Sequence, residues 1–267
     1  MRLKGVGDAE ALLVPAAPSW PELELVRTTD EEATPGGDFF SSSVARVVLQ
    51  TGGEVAIERE PGRATFRTPR VLTADEVVHP YLAPVASIVA YWLERESFHA
   101  GAFVGGGRVW GLAGERESGK SSTLAWLARE GYPVVSDDML ILEGSTAFAA
   151  PRSIDLRREA AEALGVGDEL GLIGARERWR LVLDQVEGPL ELGGWVFLDW
   201  GEELEASLLS GAERVVLLTG ARGIRLPPHD EGAVLELATL PAWRVRRPRG
   251  FDSLPAAGSR LLELTAG

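Results

Sequence analysis

Eight residues near the middle of the chain constrain its fold more than any other feature. Gly114-Glu115-Arg116-Glu117-Ser118-Gly119-Lys120-Ser121 fits the phosphate-loop pattern G-x-x-x-x-G-K-[ST] at every defined position. Glycines let successive backbone N–H groups curl around a β-phosphate, the lysine reaches the β and γ oxygens, and the next hydroxyl is offered to Mg²⁺. Such a loop belongs between a strand and a helix, because the positive end of the helix faces the same anion. The flanks comply. FHAGAFVGGGRVWGLA (98–113) reads as two strands around the Gly105-Gly106-Gly107 turn. TLAWLAREGY (123–132) reads as a helix with Leu124, Leu127 and Ala128 on one side and Gly131 as its stop. The pattern predicts an α/β fold in which Gly114, Ser118, Gly119, Lys120, Ser121 and Ser122 surround nucleotide phosphate, with ATP and Mg²⁺ as occupants. Glu115 and Glu117 bring negative charge into this loop, so their side chains are expected to point outward, paired with Arg116.

Charge and composition remove several function classes. With 27 Lys+Arg against 40 Asp+Glu, the net charge of −13 argues against a nucleic-acid partner, whose affinity would come from cations on phosphates. No apolar run reaches the ~18 residues that span a bilayer. The opening MRLKGVGDAEALLVP carries acids where a secretory signal would be apolar, so a cytoplasmic protein with no membrane partner is expected. There is no cysteine and there are three histidines. Disulfides, thiolate chemistry and multi-histidine metal sites drop out, leaving Mg²⁺ on carboxylate and hydroxyl oxygens.

Along the chain, the first forty residues suggest irregular or edge structure. VARVVLQT (44–51), EVAIERE (54–60) and RATFRTP (63–69) read as a β-meander, with Val55 and Ile57 on one face and Glu54, Glu58 and Glu60 on a wet one. Thr73 and Glu76 fit a capping box, and Leu82, Ala86, Val89 and Leu93 mark the apolar face of a connecting helix. The expected division is a small β-rich region at 1–78 and a phosphate-loop domain at 79–267. PVVSDDMLIL (133–142) reads as one buried strand whose Asp pair faces a site, and GWVFLDWG (194–201) and ERVVLLTG (213–220) as interior strands.

A phosphate loop needs a carboxylate near its metal. Asp199, ending WVFLD, is one candidate, and Asp137 with Asp138, ending PVVS, is the other. Adjacent carboxylates can divide the work, one holding metal while the other accepts a proton from an attacking hydroxyl. The ordinary alternative is a strand-end turn, where Asp is common. A lone histidine such as His99 is more often a hydrogen-bonded structural residue than a catalytic one, but its place at the start of the hairpin before the loop points to the site. Arg152 and Arg157 in PRSIDLRRE suit a phosphate clamp or surface pairing with Asp155 or Glu159. WRVRRPRG (243–250), with four Arg, reads as a docking site for an acidic peptide or phosphate, or as a solvated strand face, the more usual outcome. LSGAER (209–214) is similar to an ABC-transporter signature, but the run after it lacks the acidic pair such an ATPase requires.

In order, His99-Ala100, a Gly-turn hairpin, the phosphate loop, a helix ending Arg129-Glu130-Gly131-Tyr132, and Asp137-Asp138 together resemble the catalytic domain of HPr kinase/phosphorylase. The likeness extends over about 98–143 and is nearest to HPr-kinase-like proteins of bacterial peptide-modification gene clusters. It implies a P-loop kinase domain with a mixed sheet like that of phosphoenolpyruvate carboxykinase, and transfer of the ATP γ-phosphoryl group to a Ser hydroxyl. It also implies His99 beside the γ-phosphate and Lys120 and Ser121 on phosphate and metal. Asp137 and Asp138 would share the base and metal roles, with Asp138 placed beside Ser121 at the metal. The C-terminal signature of the phosphorylase members is not found, which points away from HPr as substrate. The expected activity is an ATP-dependent kinase acting on a Ser/Thr hydroxyl of a peptide or protein. The alternatives are a small-molecule hydroxyl kinase and a nucleotide-binding partner module with little turnover. Family members often form oligomers, so a homo-oligomer stays open.

Overall fold

The computed structural model describes residues 1–30, 36–50, 52–228 and 230–266; strand and helix counts refer to these, and Thr51 of the first meander run lies outside them. Arg2–Lys4 (β1), Glu22–Thr29 (β2), Phe39–Phe40 (β3), Val44–Val48 (β4), Glu54–Glu58 (β5) and Arg63–Thr68 (β6) form a sheet in the order β1-β2-β6-β5-β4-β3. β4, β5 and β6 are the antiparallel meander, while β1 and β2 add to it in parallel. β2 lies in the stretch where the sequence suggests only irregular or edge structure. Its Leu23 and Leu25 alternate with Glu22 and Glu24 and are buried. Leu25, Val55, Ile57 and Phe66 make the inner face, and Glu24–Arg63 and Glu54–Arg67 pairs bridge strands outside it.

Thr73 and Glu76 form both halves of the capping box ahead of α1 (Ala74–Glu76), which continues through a kinked turn into α2 (Leu82–Trp92). The helix face that closes the first core is Leu82, Val85, Ile88 and Trp92. This corrects the expected face: α2 is apolar nearly all round, so periodicity alone leaves its rotation undetermined. Ala86 and Val89 are half-buried.

A second, mixed sheet contains Glu96–Phe98 (β7), Gly101–Gly105 (β8), Arg108–Gly114 (β9), Val134–Ser136 (β10), Leu140–Glu143 (β11) and Thr146–Phe148 (β12). It is completed by Leu190–Trp200 (β16), Glu205–Leu208 (β17) and Ala242–Arg247 (β18). β8 and β9 are the expected hairpin, and β9, β16 and β18 run parallel at the centre. Both faces of these central strands are apolar, as parallel strands covered on two sides require. Trp110, Leu112, Val196, Leu198 and Val245 pack in one core with α3 (Lys120–Arg129) and α7 (Leu254–Thr265). Ala113, Trp195, Phe197 and Ala242 join another with α5 (Gly211–Ala221) and α6 (Glu231–Leu237). A small antiparallel sheet, Ser153–Leu156 (β13), Asp168–Ile173 (β14) and Arg176–Val182 (β15), lies with α4 (Arg158–Leu164) beside α3.

Two expected strands differ. PVVSDDMLIL is split: β10 pairs with β8, β11 with β7 and β12, and Asp137-Asp138 occupy the break. ERVVLLTG is helix α5, begun by a reciprocal Ser210/Glu213 capping box. A short apolar run does not distinguish strand from helix by periodicity, and the cap decides it.

Candidate functional site

β9 delivers the chain to Gly114, and α3 begins at Lys120. Gly114 has φ 151°, and a Cβ there would stand 2.6 Å from both the Leu198 carbonyl and Ser118 Oγ. Gly119, the residue before the helix, has φ 90°, and its Cβ would meet Arg247 Nη2 at 2.5 Å and the Trp200 ring at 3.2 Å. These two glycines let the loop turn without displacing β16 and β18. Gly119→Ala is therefore expected to destabilise the protein by about 1–3 kcal/mol, read as a lower denaturant midpoint at unchanged slope.

Lys120 is buried, and its Nζ donates to the Gly114 carbonyl at 2.9 Å and the Glu115 carbonyl at 3.1 Å. Burial pulls its pKa down, while Asp138 and Asp137 pull it back up. An open cavity of about 650 Å³ lies at the loop, and its wall includes His99, Lys120, Ser121, Ser122, Asp137 and Asp138. His99 from the β7–β8 connection, Lys120, Ser121 and Ser122 from α3, and Asp137 and Asp138 from the β10–β11 break thus line one cavity. Gly119 is also in the wall, while Ser118 is buried, with its Oγ lacking a hydrogen-bond partner.

The two aspartates differ in surroundings. Asp137 is buried, which drives its pKa up to about 7 with help from Asp138, against a hydrogen bond from Ser121. Its Oδ1 has no hydrogen-bond partner. Asp138 is half-buried, and its Oδ1 lies 3.4 Å from His99 Nδ1. Burial lowers the His99 pKa despite Asp138, so this contact joins a carboxylate to a largely neutral imidazole at pH 7.

The cavity is also cationic, although the chain is strongly acidic. Arg116, Arg157, Arg176, Arg178 and Arg247 border it. Alternation along β15 puts Arg176, Arg178 and Arg180 on one face, a period-two stripe visible in the sequence as R-x-R-x-R but not singled out there. Arg180 is committed to Asp155 through two 2.7 Å hydrogen bonds. Arg178 makes no hydrogen bond or ion pair among the described residues, and burial lowers its pKa. Glu117 points outward as expected, but its partners are Arg157 and, at 3.9 Å, Arg176, in place of Arg116. Arg157 thus reaches the loop, whereas Arg152 donates to the Ala11 and Leu183 carbonyls and is structural.

The arginine run of β18 divides between two fates. Arg244 and Arg246 pair with Glu213 and Asp199 on a solvated face. Arg247 is 2% exposed, lies 4.4 Å over the Trp200 ring, and donates to the Gly250 carbonyl and Ser253 Oγ. Burial pushes its pKa down to about 10. Trp200 in turn donates from Nε1 to the Glu117 carbonyl at 3.2 Å, so Arg247 and Trp200 brace the loop from behind. Asp199 is exposed beside Arg246 and is not part of the cavity wall. His79 and Asp155, which do line it, carry no local motif and are reached only through the fold.

No family model and no curated protein matches the chain. Among solved structures, an Hpr(Ser) kinase/phosphatase from Coxiella burnetii aligns over 63% of this chain and 97% of its own, at 14% identity and a TM-score of 0.32. No helix among the described residues is long and apolar enough to cross a membrane.

Proposed function

We propose that the Lys120 cavity binds ATP with Mg²⁺ and transfers the γ-phosphoryl group to a Ser/Thr hydroxyl of a peptide or protein. The observation that carries this reading is the convergence of a buried Lys120 and Ser121 with Asp137, Asp138 and His99 in one cavity rimmed by arginine. Lys120, the loop N–H groups and Arg178 would neutralise the phosphates locally, which an overall charge of −13 makes necessary.

Among the described residues no three His, Asp or Glu side chains suffice to hold a metal alone. The donors present nevertheless fit Mg²⁺, which takes few protein oxygens and completes its shell with water and nucleotide phosphate. Asp137 Oδ1 is a buried oxygen without a partner, and the same carboxylate is hydrogen-bonded to Ser121. This favours Asp137 with Ser121 as metal holders, in place of the Asp138 expected from the sequence. When bound, Mg²⁺ would offset charge on the β- and γ-phosphate oxygens.

Asp138 is then left as the proton acceptor. Its carboxylate, oriented by His99, takes the proton as the hydroxyl O–H breaks; the new O–P bond forms while the bond from the γ-phosphorus to the bridging oxygen of ADP breaks. Lys120→Ala is expected to weaken ATP binding by about 10–100-fold in calorimetric titration, the effect of removing a charged donor. Wild-type protein that takes up no ATP with Mg²⁺ would overturn the reading. A nucleotide-binding module with little turnover is the second reading, favoured by Glu117 occupying Arg157 and Arg176. Tight ATP binding without transfer to any hydroxyl selects it.

A further inference from the structure

A second cavity, of about 800 Å³, lies on the other side of the aspartate pair. The two cavities share His79, Asp137, Asp138 and Asp155 as a common wall. Much of the remaining lining of the second cavity is apolar, with Leu13, Pro15, Leu82, Ala86, Ile141 and Phe148. Its volume falls within the range of sites that enclose an organic ligand. A phosphoryl acceptor has to bring one hydroxyl to the carboxylates while keeping its body clear of the nucleotide, and a cavity opening onto the same carboxylates provides that room.

The far end of this cavity is cationic. Along the β7–β11 ladder, Leu140 pairs with Phe98 and Leu142 with Glu96. Arg95, next before β7, reaches Glu143 at the end of β11, with 3.2 Å between Nη2 and Oε2. At ~3.3 Å per strand residue, the run from Asp138 to Glu143 spans at most about 16 Å. Arg95 lines the cavity, its side chain is 15% exposed, and its guanidinium lies 4.5 Å over the Phe148 ring. Its Nε is buried without a hydrogen-bond partner. Of the other cationic groups of that wall, Arg2 and Lys4 are taken by Glu22, and burial and Arg95 lower the pKa of the Met1 amino group to about 6; Glu10 is exposed. Glu143, exposed and outside the cavity wall, holds Nη2, so the buried Nε is the donor left to a ligand, and a permanently charged donor facing an apolar space is satisfied best by a carboxylate.

We infer that this cavity receives the phosphoryl acceptor, and that the acceptor is an apolar hydroxy acid. Its hydroxyl meets Asp138, its apolar body lies along Ile141 and Phe148, and its carboxylate, up to about 16 Å away, meets Arg95. The inference rests on the phosphotransfer reading of the Lys120 cavity. Two sources present this chemistry: an extended peptide segment with Ser or Thr, apolar residues and then an acidic residue, or a long-chain ω-hydroxy acid.

The test uses the C-terminally amidated peptide Ser-Leu-Val-Leu-Glu, its equally amidated Gln-ended counterpart, ω-hydroxydodecanoate and the amide of that acid. Affinity is measured with full-length protein and Mg²⁺-bound non-hydrolysable ATP, and label transfer with radiolabelled ATP. At least one acid is expected to bind about tenfold or more tightly than its amide and to accept label, and the one labelled identifies the source. Arg95→Met should erase the preference for the acid, and Ala86→Trp, which fills the cavity, should weaken acid and amide alike. ATP affinity, titrated separately, should stay unchanged in both variants. Wild-type protein that binds ATP but does not distinguish acid from amide overturns the acceptor assignment, as does a preference that survives Arg95→Met. Failure of wild-type protein to bind ATP overturns the phosphotransfer reading itself, and the acceptor role with it.

Discussion

Asp137→Asn is expected to stabilise the metal-free protein above neutral pH and to impair phosphoryl transfer. Burial and the Asp138 charge raise the Asp137 pKa from 3.8 to about 7. A carboxyl with a folded pKa above its unfolded value keeps its proton in the native state after the unfolded chain has lost it. Stability therefore falls as pH rises from about 4 to about 7 and levels off above, by an amount on the order of 4 kcal/mol if the whole shift is expressed. The Asn variant carries no such charge, so its thermal midpoint in Mg²⁺-free buffer should lack this decline. Mg²⁺ should raise the midpoint of the wild-type protein at pH 8 and leave the variant unmoved, since ligand binding to the native state adds stability. Transfer should fall by about a hundredfold or more, the usual cost of losing one preorganised electrostatic group. An unchanged pH slope in the variant would show that the buried carboxylate is not its source.

Asp155→Ala is expected to cost about 3–5 kcal/mol, because it removes both buried hydrogen bonds of the Arg180 guanidinium and leaves that charge with Asp75 as its one remaining ionic partner among the described residues. Asp155 and Arg180 side chains are 1% and 4% exposed and share two 2.7 Å hydrogen bonds that join β13 to β15. Arg180 also reaches Asp75 at the start of α1. The pair thus ties the first helical turn after the N-terminal sheet to the wall between the two cavities. Replacing both partners with apolar residues, Asp155→Leu with Arg180→Met, should recover most of the loss, since the penalty comes from the under-compensated buried charge more than from the missing bond. Equal losses in the single and double variants, measured by denaturant unfolding, would exclude that cause.

How far the fold can be read locally varies with the kind of interaction that specifies each element. The hairpin, the loop and α3 follow from consecutive residues: positive φ at Gly106, Gly107, Gly114 and Gly119, then a helix that stops at Gly131. The Thr73–Glu76 cap is equally local. α5 is marked by an equivalent cap at Ser210 and Glu213, yet its apolar run suggests a strand when weighed without the cap. The rotation of α2 is not local, because nearly every position of the helix is apolar and the sheet beneath selects Val85 and Ile88. Nor is the break at Asp137-Asp138, which exists because β10 and β11 pair with different neighbours.

The residues of the candidate site divide along the same line. Gly114, Gly119, Lys120 and Ser121 are legible because a phosphate loop is defined by torsion angles and spacing within eight residues, and no distant contact is needed to recognise it. The arginine rim, the buried brace of Arg247 and Trp200, and the wall shared by two cavities draw on β13, β15, β16, β18 and the kinked turn before α2, segments whose own patterns fit ordinary surface or core positions equally well. Only packing turns Arg180 onto Asp155, buries Arg247 under the loop and leaves Arg178 facing the phosphate cavity, because burial and pairing depend on what the rest of the chain brings alongside.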